Sequence, residues 1–128
     1  MSIRFRPVKK KNPAKPGEPE LFFPCPVSKD KITTQKLAKI IASRTSLSST
    51  DVVAVLDACT SAIPDCLSDG FIVSLGDFGS FRVSLKGEGT ATRKEMTESD
   101  VKKIRVHFRP GKEFASLVRF AKLEKEEE

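Results

Sequence analysis

The chain has 128 residues, 23 basic against 17 acidic, for a net charge of +6. That length suits one domain with a modest core and excludes a protein kinase or any comparably large catalytic fold. Nine phenylalanines stand beside no tryptophan and no tyrosine, so the exposed aromatic stacking used in most single-strand recognition has little to draw on.

The first 26 residues form a basic N-terminal extension. Ile3, Phe5 and Val8 interleave with Arg4, Arg6 and Lys9, a pattern that predicts a short exposed strand over 2–10. Residues 1–16 also hold Lys10, Lys11 and Lys15 and no acid. Three prolines and a glycine in 12–19 predict a turn or linker. Leu21-Phe22-Phe23 then opens a second strand, which Pro24 and Pro26 confine to a sheet edge.

Helical spacing begins at Thr33. Thr33 or Thr34 caps a helix carrying Leu37, Ile40 and Ile41. Ser48 followed by Asp51 predicts the start of a second helix, with an apolar stripe of Val52, Val55, Leu56, Cys59, Ile63 and Leu67. Pro64 lies inside it and Gly70 ends it. Cys59 and Cys66, seven apart, are read as small core residues. With Cys25 the cysteines are odd in number and lack CxxC spacing, so neither a disulfide framework nor a zinc site is expected.

β character returns at 71–75. Phe81, Val83 and Leu85 alternate with Arg82, Ser84 and Lys86. Ile104, Val106 and Phe108 alternate with Lys103, Arg105, His107 and Arg109. Between these strands, 87–100 is polar and without a stripe, with Arg93 and Lys94 as its cations. Pro110-Gly111 opens a last helix with Phe114, Leu117 and Val118 facing inward. Glu124, Glu126, Glu127 and Glu128 make an acidic tail over 124–128.

Asp77-Phe78-Gly79 spells the metal-binding triplet of protein kinases, but no phosphate loop, partner lysine or catalytic loop accompanies it. Its place between two strand patterns predicts a hairpin turn, with Gly76 and Gly79 supplying backbone freedom. His107, the single histidine, has no nucleophile or acid placed beside it by sequence, so it is read as a contact residue and not a general base. Nothing is expected to be catalysed, and no cofactor, metal or small-molecule substrate is expected. The first residues lack the apolar stretch of a secretion signal, and no later run reaches membrane length. A reduced cytoplasmic protein follows, with no membrane partner.

The one-sided basic strands carry the functional reading. If they pair, their cations line one face while apolar residues fill the other. Such rows suit the phosphates of a duplex. The alternative is an ordinary antiparallel sheet with one wet face.

Three stretches, 37–63 (LAKIIASRTSLSSTDVVAVLDACTSAI), 73–83 (VSLGDFGSFRV) and 108–114 (FRPGKEF), resemble the bacterial histone-like HU/IHF family in order and spacing. The resemblance implies an α+β fold with an HU-like DNA-binding domain over 27–123. It implies a homodimer whose intertwined helices form the body, with a three-stranded saddle and β-arms that embrace the minor groove. That binding mode is known for the family and does not come from these residues. It places Lys86, Arg109 and Lys112 on the family's basic positions, and Gly76, Phe78, Gly79, Phe81 and Phe108 on structural ones. The family's arm tip carries an Arg-Asn-Pro wedge, whereas 90–100 contains neither proline nor asparagine. The expectation is an architectural, nucleoid-associated double-stranded DNA-binding protein of little sequence preference. Its contacts would be Arg82, Lys86, Arg93, Lys94, Lys103, Arg105, His107, Arg109 and Lys112, with Arg4, Arg6, Lys9, Lys10 and Lys11 in addition. A protein-interaction scaffold that keeps the fold without gripping DNA is the alternative, and RNA binding a third.

Overall fold

The computed structural model describes residues 2–127, so Met1 and Glu128, the latter the last residue of the acidic tail, lie outside the described residues. In chain order the elements begin with β1 (Ser2–Lys10), β2 (Leu21–Val27), α1 (Thr34–Ser43) and α2 (Ser49–Ser68). They continue with β3 (Val73–Ser74), β4 (Gly79–Gly87), β5 (Val101–Pro110), α3 (Lys112–Arg119) and β6 (Lys122–Lys125). Where the length pointed to one domain, contacts divide the chain into two compact units. One is the chain up to Ile32 with the chain from Leu117; the other is residues 33–116.

In the first unit, β1 is the central strand of the order β2-β1-β6. β2 pairs antiparallel with it and β6 parallel. Pro7 lies opposite Pro24. Neither has an N–H, so theirs is a non-hydrogen-bonded pair, and by alternation Phe5–Pro26 and Lys9–Phe22 are too. Phe22, Pro24 and Pro26 therefore turn their backbone away from β1, and two of these three lack a donor. The outer edge of β2 is poorly equipped to recruit another strand. Both prolines thus sit where the ladder needs no N–H, as the edge assignment required.

In the second unit, local chemistry sets the helix ends. The Thr33 hydroxyl accepts from the Lys36 N–H at 3.3 Å and Ser48 from the Asp51 N–H at 3.1 Å, each satisfying a donor that the helix leaves open. α2 runs through Pro64 to Ser68. Gly70, at φ 89°, closes it: its N–H reaches the Leu67 carbonyl at 3.0 Å and the Phe71 N–H reaches Cys66 at 3.1 Å. Those two bonds make a Schellman cap, and the left-handed residue they need is glycine.

The Asp77 triplet is the turn of a hairpin. A single 3₁₀ turn over Gly76–Phe78 joins β3 to β4, and the Leu75 N–H bonds the Gly79 carbonyl at 2.8 Å. Only Val73–Ser74 of the expected 71–75 strand pairs. The turn packs tightly against the end of β5. A Cβ on Gly111 would sit 2.0 Å from the Asp77 carbonyl oxygen, and one on Gly79 would sit 2.4 Å from that of Arg109. Phe78, Phe81, Phe108 and Phe114 close around this junction, with ring centroids 5.0–6.2 Å apart. Edge-to-face and tilted pairs at this distance are favourable.

Little is buried. Ala38, Val52 and Leu67 are the buried apolar residues among those described. Cys59 is half-buried but Cys66 is exposed, so only one of the two fills space as expected. Leu117 and Val118, expected inward, are 76% and 57% exposed, because no described residue covers them; of the three, Phe114 joins the aromatic cluster.

Gly111→Ala should destabilise the protein by about 1–3 kcal/mol, the usual cost of forcing atoms into an occupied site. Gly17→Ala, where a Cβ meets nothing within 4 Å, should be neutral. Urea denaturation of both variants checks this; equal midpoints would mean that the turn and β5 are not packed as described.

Candidate nucleic-acid interface

The two basic strands do pair. β4 and β5 run antiparallel with Arg82 opposite His107, Ser84 opposite Arg105, Lys86 opposite Lys103 and Ser80 opposite Arg109. On the other face Phe81 meets Phe108, Val83 meets Val106 and Leu85 meets Ile104. Directly opposed residues share a face. The register therefore collects Arg82, Lys86, Lys103, Arg105, His107 and Arg109 on one side of a single ladder. No acid belongs to that face, and every residue of β5 is exposed.

Opposed like charges oppose pairing. Lys86 lies directly opposite Lys103, a like-charge pair that weakens the ladder. Three cations outside this face have carboxylate partners. The three ion pairs among the described residues are Arg6–Glu126, Lys9–Glu20 and Lys15–Glu18, all in the first unit. None involves the β4–β5 face. His107 has one partner there, with its Nε2 2.5 Å from the Ser84 hydroxyl. That bond holds the ring across the ladder, on the same face as the arginines.

The ladder ends in an irregularity. Lys86 pairs with Lys103 but Gly87 pairs with Val101, so Lys102 is the extra residue of a β-bulge. Its Nζ turns back to the Ser99 carbonyl at 3.3 Å. A bulge marks the change from sheet to arm. The sequence carried its trace, since Val101-Lys102-Lys103 breaks the alternation seen from 103 onward. Beyond it, residues 88–97 form turns without strand pairing and carry Arg93 and Lys94, both exposed. The return to β5 is fixed at Thr97, whose N–H donates to the Asp100 carboxylate at 2.8 Å. Lys112 is the first residue of α3, adjoining the end of β5.

Arg4, Arg6, Lys9, Lys10 and Lys11 fall elsewhere. They lie on or just after β1 in the first unit, where Arg6 and Lys9 already have carboxylate partners. The interface thus gathers six of the expected residues on one sheet face, two on the arm and one at the start of α3.

Behind the cationic face lies an apolar cavity of about 700 Å³, walled by Cys59, Ile63 and Leu67 of α2 and by Val83, Ile104 and Val106 of the sheet. No group of three or more histidine, cysteine or acidic residues that could hold a metal ion occurs among the described residues. No helix among them is long and apolar enough to cross a membrane.

Comparison with known proteins gives two results. The model of a family described as an HU domain fused to a winged helix-turn-helix, Ig or glycine-rich motif matches residues 1–125. The crystal structure of a candidate bacterial DNA-binding protein from Bacteroides vulgatus is similar in fold, with a TM-score of 0.62 at 10% identity. That likeness covers 95% of this chain and 47% of the other, so the chain spans about half the length of that protein. No curated protein matches the sequence.

Proposed function

The chain belongs to the family of HU domains fused to a winged helix-turn-helix, Ig or glycine-rich motif, and from that membership we propose that it binds double-stranded DNA. The observation that carries the proposal is the β4–β5 register, which sets cations opposite cations with no acid on their face. Such an arrangement gains most from a polyanion. Phosphates lining a groove would lie against the rows, releasing condensed counterions as they do so. Arg82, Lys86, Lys103, Arg105, His107 and Arg109 hold the duplex backbone, Lys112 adds a contact at the start of α3, and Arg93 and Lys94 reach from the arm. Contacts of this kind position the protein and carry little sequence information. The role is architectural, in the cytoplasm on nucleoid DNA, and no reaction is catalysed.

The active species is a homodimer. Three buried apolar residues cannot hold 84 residues of the second unit together. A second copy supplies the missing cover for the cavity behind the sheet and for the outer sides of α1 and α2. Light scattering at micromolar concentration should give twice the 14.1 kDa chain mass; a stable folded monomer would remove this part of the proposal.

The arm governs how far DNA is bent. It presents Met96, 54% exposed, and no proline, so it lacks a rigid wedge to open a base step. Energy transfer between dyes on the ends of a duplex should report a modest bend. A sharp kink that survives Met96→Ala would show that another wedge exists.

Arg105→Ala with Arg109→Ala tests the interface itself. Log affinity for duplex DNA should fall steeply with log salt, with a slope of about −0.9 per neutralised phosphate. The double variant should flatten that slope by about one unit per lost contact, alike for all sequences. Lys36→Ala with Lys39→Ala, on α1, should change it much less. Equal slopes for wild type and the sheet variant would reduce the face to a wet sheet surface. The interaction-scaffold reading would then lead, and a preference for structured RNA over duplex would favour RNA.

A further inference from the structure

The two ends of the chain carry matching charge patterns. Arg4 and Arg6 alternate along β1; Glu124 and Glu126 alternate along β6 and its extension. Parallel pairing places Glu124 beside Arg4, and two residues on, Arg6 Nε lies 2.9 Å from the Glu126 carboxylate. The Ser2 hydroxyl donates to the Glu124 carboxylate at 2.9 Å. The Glu126 N–H donates to the Phe5 carbonyl at 2.8 Å, so the backbone holds the register beyond β6. Alternation puts Arg4, Arg6, Glu124 and Glu126 on the same face of this sheet. The acidic residues therefore share a face with the arginines, Glu126 in an ion pair with Arg6 and Glu124 held by the Ser2 hydroxyl beside Arg4.

We infer that this acidic strand is an intramolecular competitor for DNA phosphates, masking Arg6 until it is displaced. The inference rests on the DNA-binding reading above and adds a regulated second contact to it. The competition is physically balanced. The Arg6 and Glu126 side chains are 55% and 33% exposed, and ion pairs this open are weak and screened by salt. A duplex held on the β4–β5 face raises the local phosphate concentration for the tethered strand, and Arg6 can exchange its carboxylate for a phosphate.

The test is a salt titration of duplex binding by the full chain carrying Glu124→Gln and Glu126→Gln. Glutamine keeps the strand's length and hydrogen-bonding capacity while removing the charge. Freeing Arg6 should tighten binding and steepen the slope of log affinity against log salt by up to about 0.9 units. Adding Arg6→Gln should abolish that gain, and in the wild-type background this change alone should alter the slope little. Asp57→Asn with Asp65→Asn raises the net charge equally on α2 and should leave the slope unchanged. Detachment of β6 in the glutamine variant would still free Arg6, so the expected steepening stands even then. An unchanged slope overturns the inference. So does a gain that survives loss of Arg6, or one matched by the α2 variant. Failure of the parent reading is distinct: there the Arg105 and Arg109 variant binds like wild type.

Discussion

The register of β4 against β5 is the constraint on which the rest depends. Period-two alternation sends neighbouring side chains to opposite faces, so a slip of one residue would exchange the two faces of a strand. A slip in β5 would turn Arg105 and Arg109 toward the apolar cavity and Val106 toward water. The register is pinned at one end by Gly79 and Gly111, whose missing Cβ atoms let the turn and the end of β5 touch. The four-phenylalanine cluster lies over the same junction. At the other end the bulge at Lys102 releases the chain into the arm.

One ladder thereby sets both halves of the proposed function. In that proposal its cationic face meets phosphates, and its apolar face, with α2 behind it, is covered by a second copy. The scarcity of buried residues fits the same proposal: among the described residues Ala38, Val52 and Leu67 are the buried apolar positions, and a partner binding only the folded chain would stabilise it. The proposal thus couples assembly and DNA binding through a single sheet. Two copies of the face along one duplex would double the number of phosphate contacts.

Much of this was legible in the sequence because it is local. Thr33, Ser48 and Gly70 act within a turn of their helices, and the alternation in 81–86 and 103–109 declared both faces before any pairing was known. The glycines of the hairpin explained themselves once the kinase triplet lacked its partners. What escaped has non-local causes. β6 pairs with a strand about 120 residues away, and glutamate and lysine are poor strand formers, so a charged run read as a tail. Its partner strand was read as an extension to the domain, yet it is the centre of a sheet. Leu117 and Val118 carry helical spacing, but periodicity cannot say whether the chain itself or another molecule covers a face. Arg6 looked as available to DNA as Arg105; only the fold shows that one has a carboxylate partner and that the other has none among the described residues.

The account's central claim is that the two faces of this ladder have different partners, and nuclear magnetic resonance of the full chain tests it directly. Adding duplex DNA should shift the side-chain signals of Arg82, Arg105, His107 and Arg109 and leave the methyl groups of Val83, Ile104 and Val106 nearly unmoved. Diluting the free protein should do the reverse, moving the methyls and sparing the arginines. DNA-induced shifts centred on the apolar face, or confined to β1, would contradict the account.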